Sequence, residues 1–449
     1  MKRFLQIIFT ILITDFYFFP IEFLFLPGIN TKMVLAGISL MILGFNLASH
    51  KTGQIDKGFF WLTIAALCIS LASYISIVVN NTPDHSFTGY IISMWVWLGG
   101  AYTVIETIRS VHSKASVPIV CNYVIAVCVM QCILAYIMSI YSPMLIAVNN
   151  VIGGEKFMSV TEGRLSGIGA ALDVAGLRFS AVLVMIAYLV ANIRKIGLEK
   201  YFICYVVAFL IIGVIGNMIA RTTTMGICLS LAYWIYSCRS FKLKALNKQM
   251  AASAVIVAIA IIGMVYLYNV DYAFHKNIRF GFEGFFSLFE QGEWKVSSND
   301  ILLNHMITFP ETFRTWIIGD GYCYNPLVEV GGDPYYTGPV YHGFYMGTDI
   351  GYLRFLFYFG LIGLTAFVAF FIVCSKVCMN RLPNYKMLFF LFLLINLIGW
   401  IKVSTDIFLV FALFLCLKAE ENNLLNGNEN LQTISSASQK SQKSHKFLL

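Results

Sequence analysis

The sequence predicts an all-α, polytopic membrane protein of about twelve transmembrane helices with one large outer loop that contains short helices. Three observations carry this. Of 449 residues, 59% are hydrophobic and only 12% are charged, whereas soluble domains carry about 25% charged residues. Apolar runs of spanning length recur along the chain, and about 30 Å of hydrocarbon takes about 20 such residues in a helix that pairs its own backbone groups. The Lys and Arg residues gather between alternate runs rather than along one face.

The runs read at 4–26, 31–48, 58–79, 89–108, 117–141, 174–192, 200–219, 222–238 and 250–268, nine spans within residues 1–268. Three more, at 350–373, 384–401 and 403–418, fall within residues 348–418. Lys2 and Arg3, Lys51 and Lys57, Arg109 and Lys114, Arg194 to Lys200, Arg239 to Lys248 and Lys376 to Lys386 then share one side, while the short loops opposite are nearly free of cations. By the positive-inside rule both termini lie in the cytoplasm, and residues 269–347 form an outer loop. The net charge of +8 is thereby read as topology, and no nucleic-acid partner is expected.

The first run lacks a small-residue cleavage site and leads directly into further spans, so no cleavable leader is expected. Residues 419–449, rich in Ser, Asn, Gln and Lys, are predicted to be a disordered cytoplasmic tail. Of the cysteines only Cys323 lies in the long polar loop, which excludes a disulfide framework there. The two halves show no internal repeat, which weakens a carrier reading.

Within the long loop, Phe282, Phe285, Phe286 and Phe289 recur at i, i+3, i+4 and i+7 and predict an amphipathic helix. That stripe either lies in the headgroup layer or packs on the ends of neighbouring spans. A second helix is predicted to start near Asn299, capped by Ser297, Ser298 or Asn299, and to stop before Pro310. The stretch WIIGDGYCYNPLVEVGGDPYYTGPVYHGFYMGTD combines turn residues with aromatic rings. Such rings stack on sugar faces, although they also serve as interface anchors. His275, His305 and His342 show no metal-ligand spacing, and the chain carries no Asp-x-Asp, Walker or Gly-x-Ser-x-Gly motif. Neither a cofactor nor a metal is expected.

Charges in or beside spans mark function more often than not, because each costs about 2.5 to 3.5 kcal/mol on insertion scales. The candidates are Arg221 in ARTTTMG, Asp349 and Arg354 in GTDIGYLRFLFYFGLIG, and Arg164, Asp173 and Arg178 around the sixth span. Arg221 suits two-point binding of a phosphate, or it snorkels to the interface. Asp349 and Arg354 lie about 140° past a full helical turn from each other, so they need not pair. Asp349 could equally cap the helix that follows, with Arg354 bound to a neighbour's carboxylate.

At GTDIGYLRFLFYFGLIG the chain resembles the O-antigen polymerase (Wzy) family, in which an acidic or polar residue, a GYLR-type stretch and YFG-x-x-G follow the large loop. The segments FEGFFSLFEQGEW, FPETFRTWIIGDGY, GRLSGIGAALDVAGLRFS and ARTTTMG extend the resemblance over most of residues 160–365. The related O-antigen ligases carry His-Asn nine residues before Gly-x-x-Gly. Here those positions, counted back from Gly360 and Gly363, hold Asp349 and Ile350, which favours polymerase over ligase.

The resemblance implies transfer of a growing glycan from undecaprenyl pyrophosphate to the terminal sugar of a fresh lipid-linked repeat unit, without nucleotide or metal. Asp349, ahead of Asp320 and Glu311, is then the expected base, and Arg221 with Arg354 the expected cations at the leaving diphosphate. Arg164, Arg178, Arg279 and Arg314 are further candidates for substrate binding, with Asp320, Tyr322 and Tyr352. The partners implied are lipid-linked oligosaccharides, the bilayer and a chain-length regulator. A ligase, a flippase or transporter of such lipids, and a non-catalytic scaffold are the rival readings.

Overall fold

A computed structural model describes residues 2–48, 57–152, 164–238, 247–327, 332–340 and 343–419. Each of the twelve apolar runs contains an α-helix: α1 (Lys2–Phe18), α2 (Thr31–Ala48), α3 (Lys57–Asn80), α4 (Tyr90–His112), α5 (Val117–Ile140), then, after the short α6 (Ser142–Asn149), α7 (Leu172–Ala191), α8 (Phe202–Ile219) and α9 (Thr223–Cys238). Next comes α10 (Asn247–Val270), followed by four short helices, α11 (Tyr272–Gly281), α12 (Glu283–Gln291), α13 (Ser297–His305) and α14 (Phe313–Ile317). The chain ends on α15 (Gly351–Arg381), α16 (Lys386–Gly399) and α17 (Phe408–Leu415). The described residues form no strand, only isolated bridges.

Among the described residues, seven helices are long and apolar enough to cross a membrane: α3, α4, α5, α7, α8 with the turn before it, α10 and α15. Of the others, α1 and α17 stop well short of their apolar runs, for physical reasons. Helix α1 stops at Phe18 because Pro20 cannot continue it; the Phe19 N–H closes the last turn on Asp15 at 2.7 Å. In the last run the helix starts only at Phe408. Before it, residues 400–407 form a turn in which Asn396 Oδ1 accepts the Ile407 N–H at 3.0 Å and Asp406 Oδ1 that of Phe408 at 2.9 Å. The expected tail from residue 420 onward lies outside the described residues, as does His342.

Helix α7 is the buried axis of the bundle, packed by α5, α8, α9 and α16. It meets α9 backbone to backbone, because Gly226 has no side chain to hold them apart: Ser180 Oγ accepts the Gly226 N–H at 3.1 Å and donates to the Thr222 carbonyl at 2.9 Å. Helix α10 is the opposite case. None of its apolar window is buried, and it joins the rest through α8 and α11.

The segments joining α1 to α2, α3 to α4, α5 to α7, α8 to α9, α10 to α15 and α16 to α17 meet at one end of the bundle. Phe23 bridges to Ile152, the Cys323 N–H reaches Asp84 Oδ2 at 2.7 Å, and Lys402 Nζ lies 3.7 Å from Asp173. At this end α15 is broken. Phe359 (φ −133°, ψ 16°) and Gly360 (φ 64°, ψ −167°) leave the helical region, and the segment after α14 inserts beside the break. The Asp320 N–H donates to the Phe357 carbonyl at 2.6 Å and the Gly321 N–H to that of Tyr358 at 3.1 Å, so carbonyls freed by the kink are paired again. From α3, Ser76 Oγ donates to the Tyr358 carbonyl at 2.6 Å and Asn80 Nδ2 to the Gly319 carbonyl at 2.9 Å.

The phenylalanine stripe does form a helix, α12, and divides its contacts. Phe286 stacks on Tyr268, whereas Phe289 is 87% exposed. The second expected helix, α13, begins at Ser297 and ends well before Pro310, but no side chain caps it. The Ser297 N–H goes instead to Glu283 Oε1 at 3.2 Å.

Candidate functional site

Asp349 lies just ahead of α15, where the chain is pressed onto the 400–407 turn. Gly351 leaves no room for a Cβ against the Val403 and Trp400 carbonyls, and the Tyr352 N–H donates to the Trp400 carbonyl at 3.0 Å. Lys402 of that turn is therefore among the charges acting on Asp349.

Asp349 does not cap α15; the cap position is Ile350, without a side-chain bond. Instead Arg354 reaches back, and its Nη1 lies 3.4 Å from Asp349 Oδ1. The offset of about 140° applies only to two residues on one helical track. Asp349 precedes the helix, and the long Arg354 side chain covers the difference. Arg354 is itself fixed: Nη2 donates to the Cys323 carbonyl at 3.2 Å, and the guanidinium lies 3.8 Å from the Phe344 ring centre.

Burial pushes the Asp349 carboxyl up to about 6, against the pull of Arg354 and Lys402, and the negative charge of Asp173 adds to the rise. Near neutral pH such a group takes and gives up a proton readily.

Arg221 stands in the turn between α8 and α9, within electrostatic reach of Asp173. Its Nη1 is 2.5 Å from Glu283 Oε2 and 3.3 Å from Ser298 Oγ, its plane lies 4.2 Å from the Phe280 ring centre, and its Nε has no partner among the described residues. Arg164 faces the same ring at 5.4 Å. The charge of Asp173 is felt at both Arg221 and Asp349, which makes it the electrostatic link between them.

Between Arg221 and Lys402 opens a cleft of about 270 Å³ whose walls include Phe282, Phe285, Trp294 and Ile401. A second, wholly apolar groove of about 410 Å³ shares Phe282 and Phe285 with it and runs between α8, α10 and α12. Cations beside apolar walls suit a ligand with an anionic head and a hydrocarbon tail.

Of the residues singled out from sequence, Arg354 thus pairs with Asp349, Arg164 and Arg221 share the Phe280 ring, and Asp173 acts electrostatically on both Asp349 and Arg221. The others stand elsewhere. Arg178 is buried inside the bundle, where Nη1 donates to the Phe18 carbonyl at 2.5 Å. Arg279 is held by both oxygens of Glu290, each at 2.7 Å, and Arg314 is exposed.

Asp320 is engaged within its own loop, accepting from Thr315 Oγ1 at 2.7 Å and from the Tyr345 hydroxyl at 3.2 Å, and burial raises its pKa. Tyr322 donates to Asp333 at 2.8 Å, and Tyr352 to the Leu397 carbonyl at 2.7 Å. His275 stacks on Tyr268 with ring centres 4.1 Å apart. Asp320→Ala is expected to remove the buried acceptor shared by the Thr315 and Tyr345 hydroxyls and to cost about 1–3 kcal/mol, read as a lower melting temperature in detergent.

Sequence reasoning missed Lys402 and Glu283. Lys402 had a visible signal, since it is a lone cation between two apolar runs. Glu283 had none beyond its place next to the phenylalanine stripe. Compared with known proteins, the chain matches no family model, no curated protein and no solved structure.

Proposed function

We propose that the protein is a polymerase of the O-antigen polymerase (Wzy) kind, joining undecaprenyl-pyrophosphate-linked oligosaccharide repeat units into O-antigen or capsular polysaccharide at the outer face of the inner membrane. In this reading all twelve helical runs belong to the membrane domain, both termini are cytoplasmic, and residues 269–347 are periplasmic. One observation carries the proposal: Asp349, a carboxyl whose pKa is raised to about 6, feels the charge of Lys402, which with Arg221 and its partner Glu283 lines a cleft that has hydrocarbon walls.

The chemistry follows from the placement. Arg221 and Lys402 hold the diphosphate of the donor lipid, whose chain lies along the apolar groove. Asp349 takes the proton of the acceptor sugar hydroxyl as its oxygen bonds to the donor's anomeric carbon. The bond from that carbon to the diphosphate breaks, and the electron pair leaves with the phosphate oxygen. Attack opposite the leaving group gives inversion.

Purified protein supplied with synthetic lipid-linked repeat units is expected to yield a ladder of polymers. Absence of any product longer than one unit would overturn the reading, and transfer to a different lipid acceptor would replace it with a ligase. Lys402→Gln tests the electrostatics. Losing a cation that favours the ionised carboxylate raises the Asp349 pKa further, so the pH–activity midpoint is expected to move above about 6. A midpoint that stays in place would show that Lys402 does not act on Asp349.

A further inference from the structure

Helix α12 is packed in the reverse of the usual sense for an amphipathic helix, whose apolar stripe normally faces the core. The residues it buries are Gly284 and Ser287. Gly284 lies against Trp294, where a Cβ would come within 2.6 Å of the indole, and Ser287 Oγ accepts the Lys295 N–H at 2.8 Å. The apolar arc is turned the other way. Phe285, Leu288 and Phe289 are exposed, and Phe286 stacks on Tyr268 of α10. Such an arc needs a partner outside the fold.

Its depth says what that partner is. The arc shares one apolar groove with Val214 of α8 and Met264 of α10. Val214 lies five residues before the end of α8 and Met264 six before the end of α10, which is about 7.5 and 9 Å of helix rise. A helix lying on a bilayer sinks its apolar face about 5–10 Å into the boundary between headgroups and acyl chains, the same depth. The level is fixed by α11, whose Gly281 packs on the Asn217 backbone in the last turn of α8, with 3.0 Å left for a Cβ.

What surrounds the arc at that level is read from its neighbours. Helix α10 is long and apolar enough to cross a membrane and has none of its apolar window buried, and a span so exposed is solvated by acyl chains. Through Tyr268 and Phe286 the arc continues that surface without a break. On α11, Tyr272 and Lys276 stand four residues apart on the exposed side, a ring and a cation of the kind that anchor at a membrane interface.

We propose that α12 is an interfacial helix that lies in the headgroup layer of the bilayer, with Phe285, Leu288 and Phe289 among the acyl chains of the phospholipids. Its two carboxylates suit that seat, because Glu283 is paired with Arg221 and Glu290 with Arg279, so neither is left bare beside the lipid. The first turn of α12 is also a wall of the Arg221 cleft, which sets the mouth of the cleft at the same level. This seat does not depend on the polymerase reading.

Photocrosslinking of the full-length protein in nanodiscs of dioleoyl phosphatidylglycerol and dioleoyl phosphatidylcholine, read by intact mass, tests it. p-Benzoylphenylalanine in place of Phe289 keeps a ring at a position that is 87% exposed, so the fold tolerates it. A gain of one phospholipid mass is expected at about ten times the yield of the same probe at Gln291, which lies on the same helix about 200° round from Phe289. The probe in place of Ile262, 69% exposed on α10, is the positive standard.

A lipid yield at Phe289 no higher than at Gln291, with the Ile262 position labelled, would overturn the proposal. So would a gain of the mass of a second protein chain in place of lipid, since the arc would then be a contact between two copies.

Discussion

Asp349→Asn is expected to remove polymer longer than one repeat unit, with the rate falling by about 10²–10⁴-fold, the usual contribution of a general base. The substitution keeps the shape of the side chain and removes only its capacity to accept a proton, so the packing of Gly351 on the 400–407 turn is undisturbed. Arg354 retains its bond to the Cys323 carbonyl.

The wild-type rate has a matching signature. The ionised carboxylate is the active form, so activity is expected to be low in acid and to rise with pH through about 6. A normal ladder from Asp349→Asn, at normal protein level, would remove this residue from the mechanism.

Gly360→Ala is expected to have the largest effect on the fold. At φ 64° and ψ −167° Gly360 occupies a region open in practice only to glycine, which costs another residue about 1–3 kcal/mol. A Cβ there would also strike the Ile317 carbonyl, and overpacking adds about 1–3 kcal/mol.

The relief available to the chain is to expel the segment from Ile317 to Gly321, which unpairs the Phe357 carbonyl, leaves that of Tyr358 to Ser76 Oγ and releases the loop that carries Cys323 toward Arg354. Thermal unfolding in detergent and proteolysis near Ile317 measure both effects. Gly28→Ala is the control: φ there is also positive, at 80°, but nothing lies within 4 Å of a Cβ, so only the backbone strain remains. Equal melting temperatures for the two variants would show that the inserted segment does not bear on the kink.

Much of this molecule was legible because the bilayer imposes a simple requirement. Backbone groups must pair within each segment, so apolar runs become helices, and every predicted run contains one. The phenylalanine periodicity likewise marked α12, whereas the GYLRFLFYFG stretch holds a break in α15 that no local pattern predicted.

What stayed hidden in the sequence is partnership between distant residues. Arg164, Arg178, Arg279 and Arg314 look alike in a string of letters. Only the fold sets the first beside Arg221 on the Phe280 ring, buries the second under Phe18, ties the third to Glu290 and leaves the last exposed. Lys402 belongs to the site because the turn after α16 lies against the start of α15, a contact between residues some fifty positions apart that no local pattern encodes.

The sequence by itself determined the apolar surroundings of this protein and its helical character, since hydropathy acts residue by residue. The tertiary structure alone decided which charges meet. Electrostatic energy depends on separation and burial, and both are set by how the helices pack.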